Sequence, residues 1–99
     1  MTGSVGSPIT MDPKLSEVVA YLTSEFPGYA ITSADKGEFI IFQVASSDRV
    51  HNVHVQRTFL ESTLTEDVRP YLIGFRLAQT LRDLGNLPIL VTPSGCIYP

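Results

Sequence analysis

His51 and His54 are the only two histidines in the chain, and their spacing decides whether they could share a metal ion. They lie in Val50–Arg57, where polar and apolar residues alternate as in a strand. Side chains three positions apart on a strand point to opposite faces, so the two imidazoles could not easily bind one ion. Cys96, the only cysteine, is distant from both in sequence. We therefore predict no metal site and no cofactor.

The candidate nucleophiles are equally sparse. Cys96 with His51 or His54 would be the pair capable of covalent catalysis, if folding brought them together. No basic residue adjoins Cys96 in sequence, and no serine lies in a G-x-S-x-G turn. The adjacent acids Glu66 and Asp67 are typical of the first turn of a helix, where the helix dipole favours negative charge. We predict no catalytic residue.

The clearest element that could position any site is an N-terminal helix. Asp12-Pro13 is a typical helix start, and Pro27-Gly28 is a typical stop. Between them, apolar residues recur every three or four positions and share one helix face. These residues are Leu15, Val18, Val19, Leu22 and Phe26. The Gly/Ser-rich residues 1–10 are predicted to be a flexible tail, and residues 11–99 a single α+β domain.

Three strands should follow this helix as an antiparallel meander. The pattern predicts strands at Tyr29–Ala34, Glu38–Ala45 and Val50–Arg57. Asp35-Lys36-Gly37 has the composition of a hairpin turn, since glycine accepts the positive φ that such turns need. Ser46–Arg49 is predicted to be the second turn.

A second helix is predicted from Thr65–Asp67 to Leu84, ended by Gly85-Asn86. A helix that ran on from Phe59 would place Pro70 in its interior at a cost of about 3 kcal/mol. We therefore predict a loop before Thr65, so that Pro70 lies in the first turn of the helix. Gly74, inside this helix, would indicate close packing.

A last strand is predicted at Leu87–Thr92, joining an edge of the sheet, with Cys96–Pro99 able to add one β bridge. The predicted order is thus α-β-β-β-α-β, with two helices packed on one face of the sheet.

Composition excludes several classes of protein. The chain has 99 residues, of which 43% are hydrophobic and 17% charged, which is too apolar for a disordered chain. Its apolar runs are far shorter than the ~20 residues of a membrane span. With no signal-peptide pattern at the N-terminus and a lone cysteine, we expect a cytoplasmic protein.

The predicted strand Glu38–Ala45 is apolar on both faces. Ile40, Phe42 and Val44 share one face, whereas Phe39 and Ile41 lie on the other. Two helices on a small antiparallel sheet usually cover one face only, so something else should cover the second. The chain's own tail, residues 58–67 folded back, a second copy of the chain or a different partner could do so. We predict a non-enzymatic protein-interaction module, a homodimer or binder of another protein, that uses Tyr29, Phe39 and Ile41.

Two alternatives remain at the level of sequence. The first is a small-ligand binder or minor enzyme whose pocket lies between the sheet and the second helix. Its polar contacts would be His51, His54, Arg57 and Tyr71. The second is a nucleic-acid binder, which would need its scattered arginines to converge. Those arginines are Arg49, Arg57, Arg69, Arg76 and Arg82. Ten acidic against seven basic residues, a net charge of −3, disfavour this alternative.

Overall fold

The computed structural model describes residues 13–97 as an α+β fold with four helices and five strands. The helices are α1 (Pro13–Glu25), α2 (Arg57–Ser62), α3 (Thr65–Gly74) and α4 (Leu77–Leu84). The strands are β1 (Ala30–Asp35), β2 (Phe39–Ala45), β3 (Val50–Gln56), β4 (Ile89–Thr92) and β5 (Gly95–Ile97). The predicted flexible tail at residues 1–10 lies outside the described residues.

The strands form one sheet in the order β1-β2-β3-β4-β5. The predicted antiparallel meander of β1, β2 and β3 is confirmed, and Gly37 adopts φ 91° in its first turn. The predicted C-terminal strand, β4, pairs with the free edge of β3 in parallel. A parallel neighbour requires a crossover, which the three helices after β3 supply. Strand β5 then returns antiparallel to β4.

Alternate residues of the strands face the core and are buried. Ile40, Phe42 and Val44 on β2 lie opposite Val55, Val53 and His51 on β3. The apolar side chains among them form one buried cluster with residues of all four helices. We call this side of the sheet the core face. The helical members of the cluster are Val18, Tyr21, Leu22, Phe59, Leu60, Val68, Leu72, Leu77, Ala78 and Leu81.

The helical region after β3 differs from the prediction of one helix preceded by a loop. Residues predicted as loop form α2, because Phe59 and Leu60 are both buried in the core. The predicted single helix is divided into α3 and α4, and the residue between them, Arg76, adopts a left-handed φ of 58°. The predicted packing of two helices on one face is therefore not confirmed, because the helical residues of the described chain form four helices.

Pro70 and Gly74 also differ from the prediction for this region. Pro70 lies inside α3 instead of in its first turn. It is exposed, as is Glu66, so water can satisfy the Glu66 carbonyl that lacks a proline N–H. Gly74 ends α3 and a Cβ there would meet no atom within 4 Å, so close packing does not explain it.

Candidate functional site

The face of the sheet opposite the core face, which we call the open face, carries one row of paired residues. Ile41 lies opposite His54, His54 opposite Leu90, and Leu90 opposite Ile97. Directly paired residues share a face, so the row crosses four strands from β2 to β5. The first three of these side chains are half-buried, and Ile97 is 56% exposed. The open face therefore presents a continuous apolar row with one imidazole inside it.

Phe39 lies against this row. Its ring stacks on the imidazole of His54, with centroids 5.2 Å apart and planes 12° apart. Together with Leu90 and Ile97, the two rings line an open groove of about 420 Å³. Glu38 and Gln56 form the polar end of this groove. The structure thus brings Phe39 and Ile41 onto one surface, as the sequence pattern predicts, and adds three residues to it.

The open face is almost free of charge. Gln43 pairs with Asn52 beside the row, and Ala34 and Thr32 of β1 pair with Ile41 and Gln43. Among residues 13–97, His54 and Glu38 are the ionisable residues that line the groove, and Lys36 lies opposite Phe39 where β1 turns into β2. The paired residues of the open face thus carry no charge apart from any proton on His54, although the chain has a net charge of −3.

Tyr29 does not share this surface. Its ring packs edge-on against Phe26, with centroids 5.4 Å apart, and lies 6.2 Å from the ring of His51. Both neighbours belong to the core side, and Tyr29 itself packs against the buried cluster. The sequence grouped Tyr29 with Phe39 and Ile41, but the structure separates it from them.

His51 has a structural position in the core. Its side chain is 1% exposed, and Nδ1 lies 2.8 Å from the carbonyl oxygen of Gly85. Because a carbonyl can only accept, Nδ1 carries the proton and donates this bond. The ring also lies 5.3 Å from that of Phe26. His51 thereby ties β3 to the end of α4, while His54 lies on the opposite face, as strand alternation predicts.

The remaining predicted ligand contacts, Arg57 and Tyr71, lie apart from both histidines. The guanidinium of Arg57 forms an ion pair with Asp35, 2.7 Å away, at the end of the first hairpin. Tyr71 is half exposed on α3, where its ring packs against those of Phe59 and Phe75. The structure therefore does not bring His51, His54, Arg57 and Tyr71 into one pocket between the sheet and a helix.

The arginines proposed for nucleic-acid binding do not converge either. Arg49 precedes β3 and Arg57 follows it, so they lie at opposite ends of one strand. Three of the five arginines are paired with acids, which offsets their charge. These pairs are Arg57–Asp35, Arg69–Glu17 and Arg82–Glu25.

Cys96 lies on β5 opposite Val91, on the core face. Its thiol is partly buried, and burial raises its pKa from 9.0 to about 11, which keeps it protonated at neutral pH. His54 is on the other face. Val91, the partner of Cys96, pairs with Val55 on β3, and His51 lies four residues away from Val55 along that strand. The structure thus brings neither histidine to Cys96 as a base.

Within residues 13–97, no three His, Cys, Asp or Glu side chains converge in a way that could hold a metal ion. None of the helices in the same range is both long enough and apolar enough to cross a membrane.

Sequence reasoning missed Leu90 and Ile97 as members of the open face. The alternation in β4 indicates that Leu90 faces away from Ile89 and Val91, which are buried. It does not indicate which strand lies beside β4. Only the parallel pairing with β3 places Leu90 next to His54.

No family model matches the chain, and no curated protein or solved structure matches it either.

Proposed function

We propose that this chain is a non-enzymatic protein-interaction module that forms a homodimer through its open face. The observation that carries the proposal is the row Ile41–His54–Leu90–Ile97, with Phe39 stacked against it. Contiguous apolar surface of this kind on a small protein is a common mark of a protein-protein contact. Removing it from water is the main favourable contribution to association.

The charge of the face favours a second copy of the chain as the partner. Around a two-fold axis, each patch meets its own copy, so any net charge in the patch would repel itself. The chain has a net charge of −3, yet the paired residues of the open face are uncharged apart from any proton on His54. Polar pairs such as Gln43–Asn52 can exchange hydrogen bonds with the same pair of another copy.

The size of the face sets the expected strength of the dimer. With strands about 4.8 Å apart and a rise of about 3.3 Å per residue, the five strands present roughly 430 Å². A standard interface buries about 800 Å² on each partner. Contact over the open face alone is therefore smaller than standard, and we expect a dimer that dissociates on dilution.

The test is the mass of the protein in solution over a dilution series, by sedimentation velocity. We expect the wild type to approach twice the 10.9 kDa of the chain at high concentration and to dissociate on dilution. Ile41→Lys places a charge in the centre of the face and should raise the dissociation constant at least ~10-fold. Phe39→Asp combined with Ile41→Lys should abolish dimerisation.

The matched control is Ile73→Lys. Ile73 is 59% exposed on α3, so this variant makes the same chemical change away from the open face, and dimerisation should persist. Circular dichroism verifies that each variant is folded. A wild type that stays monomeric up to millimolar concentration would overturn the homodimer, and equal effects of the two lysine substitutions would overturn the role of the open face.

A further inference from the structure

We infer that protonation of His54 dissociates this homodimer, so that self-association through the open face responds to pH. The inference rests on the proposed function and adds a form of regulation to the same surface. It follows from the position of one imidazole inside an otherwise apolar row. Histidine is the ordinary side chain that gains a proton between about pH 8 and pH 5.

The surroundings of His54 on the open face contain almost no negative charge that could balance a protonated, positively charged imidazole. On β2 it faces Ile41 and the ring of Phe39, and on β4 it faces Leu90. Its own strand contributes Asn52 and Gln56 on the same face, and β5 contributes Ile97 beyond Leu90. Among residues 13–97, the only other ionisable group lining the groove is Glu38, at the rim, and Lys36 lies opposite Phe39 at the start of β2.

Dimerisation changes the solvation of this imidazole. In the monomer, His54 is half-buried and keeps one side towards water, which can solvate an imidazolium. In a face-to-face dimer, the apolar row of the second copy replaces that water. Desolvation disfavours the charged form, so the dimer binds protons less tightly than two monomers do.

The sign of the pH dependence follows from this difference. Because monomers bind more protons than the dimer, lowering the pH shifts the equilibrium towards monomers. Each copy contributes one His54, so dissociation takes up as many as two protons. The dissociation constant is therefore expected to rise at least ~10-fold between pH 8.0 and pH 5.5.

The experiment compares the dissociation constant at pH 8.0 and pH 5.5, at one ionic strength, for the wild type and His54→Gln. Near-UV circular dichroism at both pH values verifies that the fold is retained. We expect the ratio of the two constants to be at least ~10 for the wild type and close to 1 for His54→Gln, whatever the absolute affinity of the variant. Glu38→Gln should keep the wild-type ratio, because its carboxyl group lies at the rim.

Three results would overturn the inference. One is a wild-type dimer whose dissociation constant does not change with pH, and another is a His54→Gln dimer that keeps the wild-type ratio. The third is tighter association at pH 5.5, which would mean that a carboxylate of the second copy reaches the imidazolium. In all three the homodimer itself stands. Absence of a dimer at pH 8.0 would instead refute the proposed function, and this inference with it.

Discussion

The hydroxyl group of Tyr21 on α1 accepts a hydrogen bond from the backbone N–H of Ala78, 3.0 Å away, at the start of α4. Both residues are buried. The residue that precedes α4, Arg76, provides no side-chain cap for the helix. A helix N-terminus has backbone N–H groups without intrahelical partners, and here a tyrosine from another helix satisfies one of them. This contact explains how a break in a buried helical region is tolerated.

We expect Tyr21→Phe to lower the free energy of unfolding by about 1–3 kcal/mol, because it leaves the Ala78 N–H buried without a partner. Urea denaturation followed by circular dichroism measures the change. Tyr29→Phe is the matched control, since no hydrogen bond of its hydroxyl group is found among the described residues and its ring stays in place. Equal losses in the two variants would contradict a capping role for Tyr21.

The left-handed conformation of Arg76 leads to a second expectation. A residue with a side chain is strained at φ 58°, whereas glycine is not, and a β-branched residue is strained most. Arg76→Gly should be neutral or stabilising by up to about 1 kcal/mol, and Arg76→Val should be destabilising by about 1–2 kcal/mol. The same urea experiment measures both. If Arg76→Gly were strongly destabilising and Arg76→Val neutral, residues 75–76 would continue one helix, as the sequence predicted.

Burial of the Cys96 thiol has consequences for both reactivity and stability. Its pKa is raised from 9.0 to about 11, so little thiolate is present at pH 8. We expect iodoacetamide to modify Cys96 in the native protein ~10–100-fold more slowly than in urea, as mass spectrometry can follow.

The same shift makes stability depend on pH at the alkaline end. Above pH 9 the unfolded chain loses the thiol proton before the folded protein does, so the free energy of unfolding falls as pH rises from about 9 to about 11. Burial also raises the pKa of Tyr21, which extends the fall above pH 10. Cys96→Ala should reduce the loss between pH 9 and pH 10. An unchanged slope would show that other groups cause it.

Local signals in the sequence were enough for α1 and the meander. The helix start at Pro13, its stop near Pro27 and the turn at Gly37 each depend on the backbone preference of one or two residues. Alternation along β2 likewise separated Ile40 and Phe42 from Phe39 and Ile41, and the structure places them on opposite faces. Such patterns depend on residues within one turn or one strand, so they can be read without knowledge of the rest of the chain.

The helical region after β3 could not be predicted in the same way. Apolar residues from Phe59 to Leu84 are compatible with several divisions into helices, and the choice depends on which of them reach the core. Dividing the helix at Arg76 allows Leu77, Ala78 and Leu81 to be buried. The energy gained from that burial outweighs the strain of one left-handed residue, which is about 1–3 kcal/mol.

By itself, the sequence determined that this is an α+β protein with a meander whose second strand is apolar on both faces. Only the tertiary structure decided what lies beside that strand. The parallel pairing of β4 with β3 aligned Leu90 and Ile97 with His54, and packing of the core drew Tyr29 to the other side. The physical reason is that pairing between distant segments depends on the apolar area buried by the whole chain. Local periodicity shows which way a side chain points, but not which residue it meets.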